Sequence, residues 1–169
     1  MRRWRLCLAL AACIMMSGGI GALRAGNKTV NMKLTISINT PPPCDITGGE
    51  VKFGNVLISN IDGVNYQKKV PYSLHCIGRI NDFLKLQIQG TAVSINGESV
   101  LQTDVPGLGI RLQTGDADTL MPPGTTDWLP FQYRDDDIPS IRAVPVKEAN
   151  VTLTGGDFNA AATLVVDYQ

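Results

Sequence analysis

The sequence predicts an all-β protein, an antiparallel sandwich, on three observations. From Val51 onward apolar residues recur at every second position, and no segment there sustains a 3.6-residue period with helix caps. All 10 Pro and 14 of the 17 Gly fall within residues 26–169 and cut the chain into short runs. Strands that are apolar on one face must bury it against another layer, and two packed antiparallel sheets do so.

The chain opens on an address. Arg2, Arg3 and Arg5 precede an apolar run from Leu6 to Met16, followed by Ser17, Gly18, Gly19 and Gly21. That order, charged then apolar then small, is that of a secretory signal, so residues 1–25 are expected to be a signal peptide cleaved after Ala25 or Ala22. The apolar run is shorter than the roughly 20 residues a membrane span needs. Leu10-Ala11-Ala12-Cys13 resembles a lipidation site, but the apolar run before that cysteine is too short for one. Without residues 1–25 the charge balance, 15 basic against 15 acidic, becomes 11 − 15 = −4. An acidic remainder argues against a nucleic-acid partner. With 44% hydrophobic and 18% charged residues the chain can bury a core.

Residues 26–43 differ in kind from the rest of the chain. Val30, Met32, Leu34, Ile36 and Ile38 take the even positions, and Asn31, Lys33, Thr35, Ser37 and Asn39 the odd ones. An extended strand would therefore project five apolar side chains from one face. Pro41-Pro42-Pro43 then stiffens the chain and sets that strand apart. Two readings stand: the first strand of the chain's own sandwich, or a strand presented to another molecule's sheet edge. Its position beyond a proline spacer favours the second. Each such side chain gains about 1.5 to 3 kcal/mol on full burial, so five supply on the order of 10 kcal/mol before ordering costs.

Only Cys44 and Cys76 remain beyond the leader, 32 positions apart, and an exported chain with two cysteines is expected to join them. A metal site is disfavoured, because His75 is the only histidine and no CxxC pair exists. His75 reads as a solvent-facing strand residue. Leu84, Leu86 and Ile88 alternate with Lys85, Gln87 and Gln89; Ile110 and Leu112 with Arg111 and Gln113; Val151 and Leu153 with Thr152 and Thr154. Each run reads as a half-buried strand. Pro71 and Pro145 sit in strand-like runs and call for edges or bends, since proline cannot donate to a ladder. Met121 to Ile138, with Pro122-Pro123-Gly124 and Asp135-Asp136-Asp137, reads as a long irregular connection. The acidic triplet lacks the spaced oxygens of a calcium loop and reads as a solvated turn. Catalysis is disfavoured: a Ser-His-Asp set would depend on His75 alone, and Gly107-Leu108-Gly109 lacks the rest of a phosphate-binding fingerprint.

Taken together, the alternating N-terminal segment, the Pro-Pro-Cys44 junction, the spacing to Cys76, the Ser73-Leu74-His75-Cys76 run and the ending resemble one family. The ending runs from Gly155 to Gln169, with Gly156 fourteenth from the end and Tyr168 penultimate. The chain resembles the pilin subunits of chaperone-usher fimbriae, most closely the minor and adaptor subunits of P-type fimbriae. The resemblance implies an incomplete immunoglobulin-like antiparallel sandwich lacking its last strand, with an N-terminal donor-strand extension. It divides the chain into a signal peptide (1–25), a donor-strand extension (26–43) and a pilin domain (44–169).

It further implies assembly by donor-strand exchange. A periplasmic pilus chaperone lends the missing strand; at the outer-membrane usher the extension of the next fimbrial subunit replaces it. No cofactor and no small-molecule substrate are involved, and the product is displayed at the cell surface. Carried onto this chain, the donor residues are Val30, Met32, Leu34, Ile36 and Ile38. The chaperone and acceptor-groove edge comprises Gly156, Ala162, Leu164, Val166 and Tyr168. One departure from the pattern is that many family donor segments place a glycine at an inward position, where Ile36 stands here, and the proline spacer has one extra residue. That argues for a specialised junction subunit. A terminating or major rod pilin is the alternative; a tip adhesin, which carries an added lectin domain, and a secreted enzyme or binding protein are remoter expectations.

Overall fold

The computed structural model describes residues 29–32, 44–134 and 137–169. The strands are β1 (Thr29–Met32), β2 (Cys44–Gly48), β3 (Val51–Asn55), β4 (Lys68–Lys69), β5 (Tyr72–Cys76), β6 (Phe83–Gly90), β7 (Ala92–Ile95), β8 (Glu98–Gln102), β9 (Leu108–Thr114), β10 (Leu129–Gln132), β11 (Ile141–Lys147) and β12 (Ala162–Tyr168). Among the described residues the helical content is one 3-10 turn, Ile58–Asn60. Every strand pairing is antiparallel. The sheets run β10-β6-β12, β4-β11-β9-β8-β7, β2-β5 and β1-β3.

The alternation of β6 places Leu84, Leu86 and Ile88 in the core, the first two with no exposure at all. One buried cluster joins them to Ile110 and Leu112 of β9, Ile141 and Ala143 of β11, and Leu74 of β5, so the layers share a single core. The middle of the outer face of β6, at Lys85 and Gln87, is covered as well, while Phe83 and Gln89 stay exposed. Gln87 is buried and its amide donates to the Thr125 carbonyl at 2.8 Å, and the Lys85 ammonium lies 4.9 Å from the centre of the Trp128 ring. A strand covered on both faces still alternates in sequence when its outer polar groups find partners.

Asn96 and Gly97 both have positive φ, 51° and 85°, and make the two-residue turn between β7 and β8. Such a turn needs φ > 0 at both central positions, which Asn-Gly supplies. The Asn96 side chain donates to the Lys147 carbonyl and accepts from the Ala149 N–H, which fastens the hairpin to the end of β11. A second small cluster of Ile95, Val100 and Val146 is buried beneath it.

Both prolines stand where the ladder does not need them. β4 pairs only with Arg142 and Ala143, so Pro145 lies on a stretch of β11 that β4 leaves open. Pro71 lies between β4 and β5, and its carbonyl accepts from the Gly49 N–H at 2.9 Å. Two strand assignments differ from the sequence expectation. The run Val151 to Thr154 is not a strand: Leu153 is buried and Val151 exposed, yet no neighbour among the described residues offers a ladder. The connection expected to be irregular from Met121 to Ile138 contains β10, which pairs with β6 from Leu129 opposite Leu86 to Gln132 opposite Phe83. There Leu129 and Phe131 alternate with Pro130 and Gln132, and Pro130 is tolerated because β10 is the outer strand.

Cys44 and Cys76 are bonded. They stand directly opposite each other as the end pair of the β2–β5 ladder, followed by Asp45 opposite His75 and Ile46 opposite Leu74. His75 faces solvent, as expected. Replacing both cysteines by serine is expected to cost about 3 to 4 kcal/mol for a loop of this length, read as a lowered urea midpoint. Finding both thiols freely alkylated in unreduced protein from the periplasm would contradict the bond itself.

Candidate functional site: the open edge of the last strand

The last strand is half-paired. β12 runs antiparallel to β6 over all seven of its residues, from Ala162 opposite Gly90 to Tyr168 opposite Leu84. On its other side no strand pairs with it among the described residues, because the sheet order β10-β6-β12 ends there. Ala162, Leu164 and Val166 face the core and are buried, Val166 almost completely; Thr163, Val165 and Asp167 face outward and are half-buried. Asp167 stands opposite Lys85, 3.8 Å between charged atoms. An edge strand with an apolar inner face and a free row of N–H and C=O groups is a template for another strand.

Both ends of this strand are held. At its C-terminal end the Tyr168 hydroxyl accepts from the Ile80 N–H at 3.1 Å, the Gln169 N–H donates to the Phe83 carbonyl, and the Gln169 amide donates to the carbonyls of Leu84 and Phe131. The last residue therefore bridges β6 and β10. At its N-terminal end the Asp104 carboxylate accepts from the Asn159 N–H and side-chain amide, while the Asp104 N–H donates to the Asn159 carbonyl. These bonds hold the Asp104 carboxyl below the usual carboxylate range. Phe158 packs on Phe53 of β3, ring centres 5.9 Å apart, so β3 lies beside the approach to β12. Beneath the first half of β12 is a small cavity lined by Val70, Ile88, Leu112, Ile141, Ala162 and Leu164 with Thr163 at its rim.

Of the expected edge residues, Ala162, Leu164, Val166 and Tyr168 share β12. Gly156 lies six residues earlier in the connection, with open space where a Cβ would be. Of the expected donor residues, Val30 and Met32 fall in β1, while Leu34, Ile36 and Ile38 lie outside the described residues, as do residues 1–25. β1 pairs antiparallel with β3 of the same chain, Thr29 opposite Asn55 and Met32 opposite Val51. The register shifts between Val30 and Asn31, opposite Gly54, whose φ of 72° suits the bulge. Pairing within the chain's own body was the less favoured of the two sequence readings of this segment, and Gly54 interrupting an alternating run was the available sign of a bulge.

Tyr133, buried, donates its hydroxyl to the Leu74 carbonyl and accepts from the Cys76 N–H, pinning the end of β5 beside the disulfide. Burial raises the Tyr72 hydroxyl above the ordinary tyrosine range, and it donates to the Pro139 carbonyl. Among the described residues no group of three or more His, Cys, Asp or Glu side chains is placed to hold a metal ion.

The family profile described as "Fimbrial protein" matches residues 30–169. The fimbrial-like protein YfcR of Escherichia coli K12 is 41% identical over 145 residues, covering 86% of this chain and 84% of that protein. YfcQ of the same organism is 39% identical over 137 residues, covering 77% and 82%. Among solved structures, the P pilus adaptor subunit PapF superposes with a TM-score of 0.54 at 24% identity, covering 76% of this chain and 97% of that one. The P pilus rod subunit PapA superposes with a TM-score of 0.58, also at 24% identity, covering 75% and 99%. The fold is thus the immunoglobulin-like sandwich of pilins, and the chain, a structural subunit and not an enzyme, belongs to the fimbrial protein family.

Proposed function

We propose that this chain is a minor or adaptor subunit of a surface fimbria, assembled by donor-strand exchange. The observation that supports it best is β12: seven residues paired to β6 on one side, unpaired among the described residues on the other, with Ala162, Leu164 and Val166 forming a continuous apolar inner face. A donated strand would pair along that free edge, since main-chain hydrogen bonds supply register and alternate side chains enter the core. In this reading residues 1–25 direct export and residues 26–43 are the donated segment. Residues 44–169 are the body, held by a periplasmic chaperone and passed at an outer-membrane usher to neighbouring subunits. The five inward positions Val30, Met32, Leu34, Ile36 and Ile38 contain no glycine, which supports a specialised junction over a rod repeat.

One observation favours a second arrangement. The pairing of β1 with β3 lays the start of the extension along its own body, as an intrinsic first strand would. Four residues with a bulge make a short ladder, and exchange requires only that it release. Removal of Gly26 to Thr40 separates the two. The chain proposed here still co-purifies with its chaperone and fails to enter the preceding subunit's groove. A chain that loses chaperone binding and unfolds uses the segment as an intrinsic strand.

A further inference from the structure

The six residues joining β5 to β6, with Phe83 after them, display three apolar side chains to solvent: Ile77 at 67% exposure, Ile80 at 82% and Phe83 at 56%. The turn carrying them is fixed. Arg79 Nε donates to the Asp82 carboxylate at 2.6 Å, Arg79 Nη1 donates to the Cys76 carbonyl at 3.1 Å, and the guanidinium lies 4.7 Å from the centre of the Tyr133 ring. The Ile80 N–H is held by the Tyr168 hydroxyl. Large apolar side chains grouped on a well-held turn mark an interaction surface more often than scattered surface residues do.

The position of this turn indicates its occupant. Cys44 is bonded to Cys76, and Ile77 follows Cys76, so the N-terminal extension leaves the body beside the turn. Between Ile38, the last of the alternating apolar residues, and Cys44 lie Asn39, Thr40 and the three prolines. Six Cα steps of at most ~3.6 Å span roughly 20 Å. A subunit holding Ile38 in its groove is therefore leashed close to Ile77. At that range three large apolar side chains are more stable buried against the neighbour than left in water between two bodies.

We propose that Ile77, Ile80 and Phe83 form a docking ridge for the body of the fimbrial subunit that receives this chain's extension. The proposal rests on the donor-strand reading and adds to it: the strand sets register, and the ridge sets the angle at which the two bodies meet. The test compares this chain in its chaperone complex with the same chain in whole fimbriae, by side-chain carbene footprinting. Labelling of Ile77, Ile80 and Phe83 is expected to fall on incorporation, together with labelling of Leu34 and Ile36. Protection of Leu34 and Ile36 with the ridge still labelled overturns the ridge and leaves the donor strand standing. Protection of neither overturns both. A ridge already protected in the chaperone complex assigns it to the chaperone and also overturns the proposal.

Substitution gives a second readout. The Ile80→Asp, Phe83→Asp double variant keeps its extension and is expected to enter fimbriae, with its junction dissociating on heating about tenfold faster. Ile77→Ser serves the same test should the double variant fail to fold. An unchanged junction lifetime in a variant that folds and is incorporated refutes the ridge.

Discussion

Deleting Val165 to Gln169 is expected to abolish the soluble chaperone complex and send the subunit to degradation. The deletion removes the pairs Val165–Gln87, Val166–Leu86, Asp167–Lys85 and Tyr168–Leu84, more than half of the β12–β6 ladder. It uncovers Leu84 and Leu86, which are otherwise fully buried, and removes Val166, itself 1% exposed. Burial of Val166 alone is worth about 1.5 to 3 kcal/mol, against a total stability of about 5 to 15 kcal/mol for an ordinary domain. The Gln169 bonds to Leu84 and Phe131 go as well, leaving the direct β10–β6 ladder without that added tie. Co-purification with a periplasmic chaperone measures the effect; an undiminished yield from the truncated chain would count against β12 as the paired edge.

The second large effect is expected in the extension. A synthetic peptide covering Lys28 to Thr40 should displace the chaperone from the preceding subunit, and Leu34→Asp or Ile36→Asp should block displacement. Both positions belong to the alternating apolar set, so either substitution would carry a carboxylate into an apolar groove at a cost of several kcal/mol. Thr35→Asp, on the opposite face of the same strand, should leave displacement nearly intact. Equal loss at positions 34, 35 and 36 would mean that charge alone, not the facing of the side chains, governs the exchange.

The parts of the fold read correctly from sequence are those where periodicity and burial report the same thing. Leu84, Leu86 and Ile88 alternate because one face of β6 meets the core, and Cys44 and Cys76, the only cysteines beyond the expected leader, are bonded. Alternation reports facing, not pairing, which explains the misreading at Val151 to Thr154: Leu153 does point inward, but a strand also needs a neighbour's backbone. β10 was hidden between Pro122-Pro123-Gly124 and the acidic triplet, and its own Pro130 carries no penalty on the outer strand of a sheet. The Asn96-Gly97 hairpin was readable from its dipeptide and went unused. At the site, the inward face of β12 was legible, whereas the pairing of Thr29–Met32 with β3 was not, because an apolar strand does not record in its own sequence which edge it joins.

In the proposed assembly the outer edge of β12 is completed by a strand from another molecule. Amide hydrogen exchange along Ala162 to Tyr168 tests it most directly, comparing a form of this chain lacking residues 26–40, in complex with its chaperone, with the same form after the chaperone has been displaced by the next subunit's extension. Every β12 amide is expected to be protected in both complexes, with the amides on the side away from β6 exchanging more slowly once the subunit strand is in place. Fast exchange of those outer amides in both complexes, with β12 protected only on its β6 side, would contradict it.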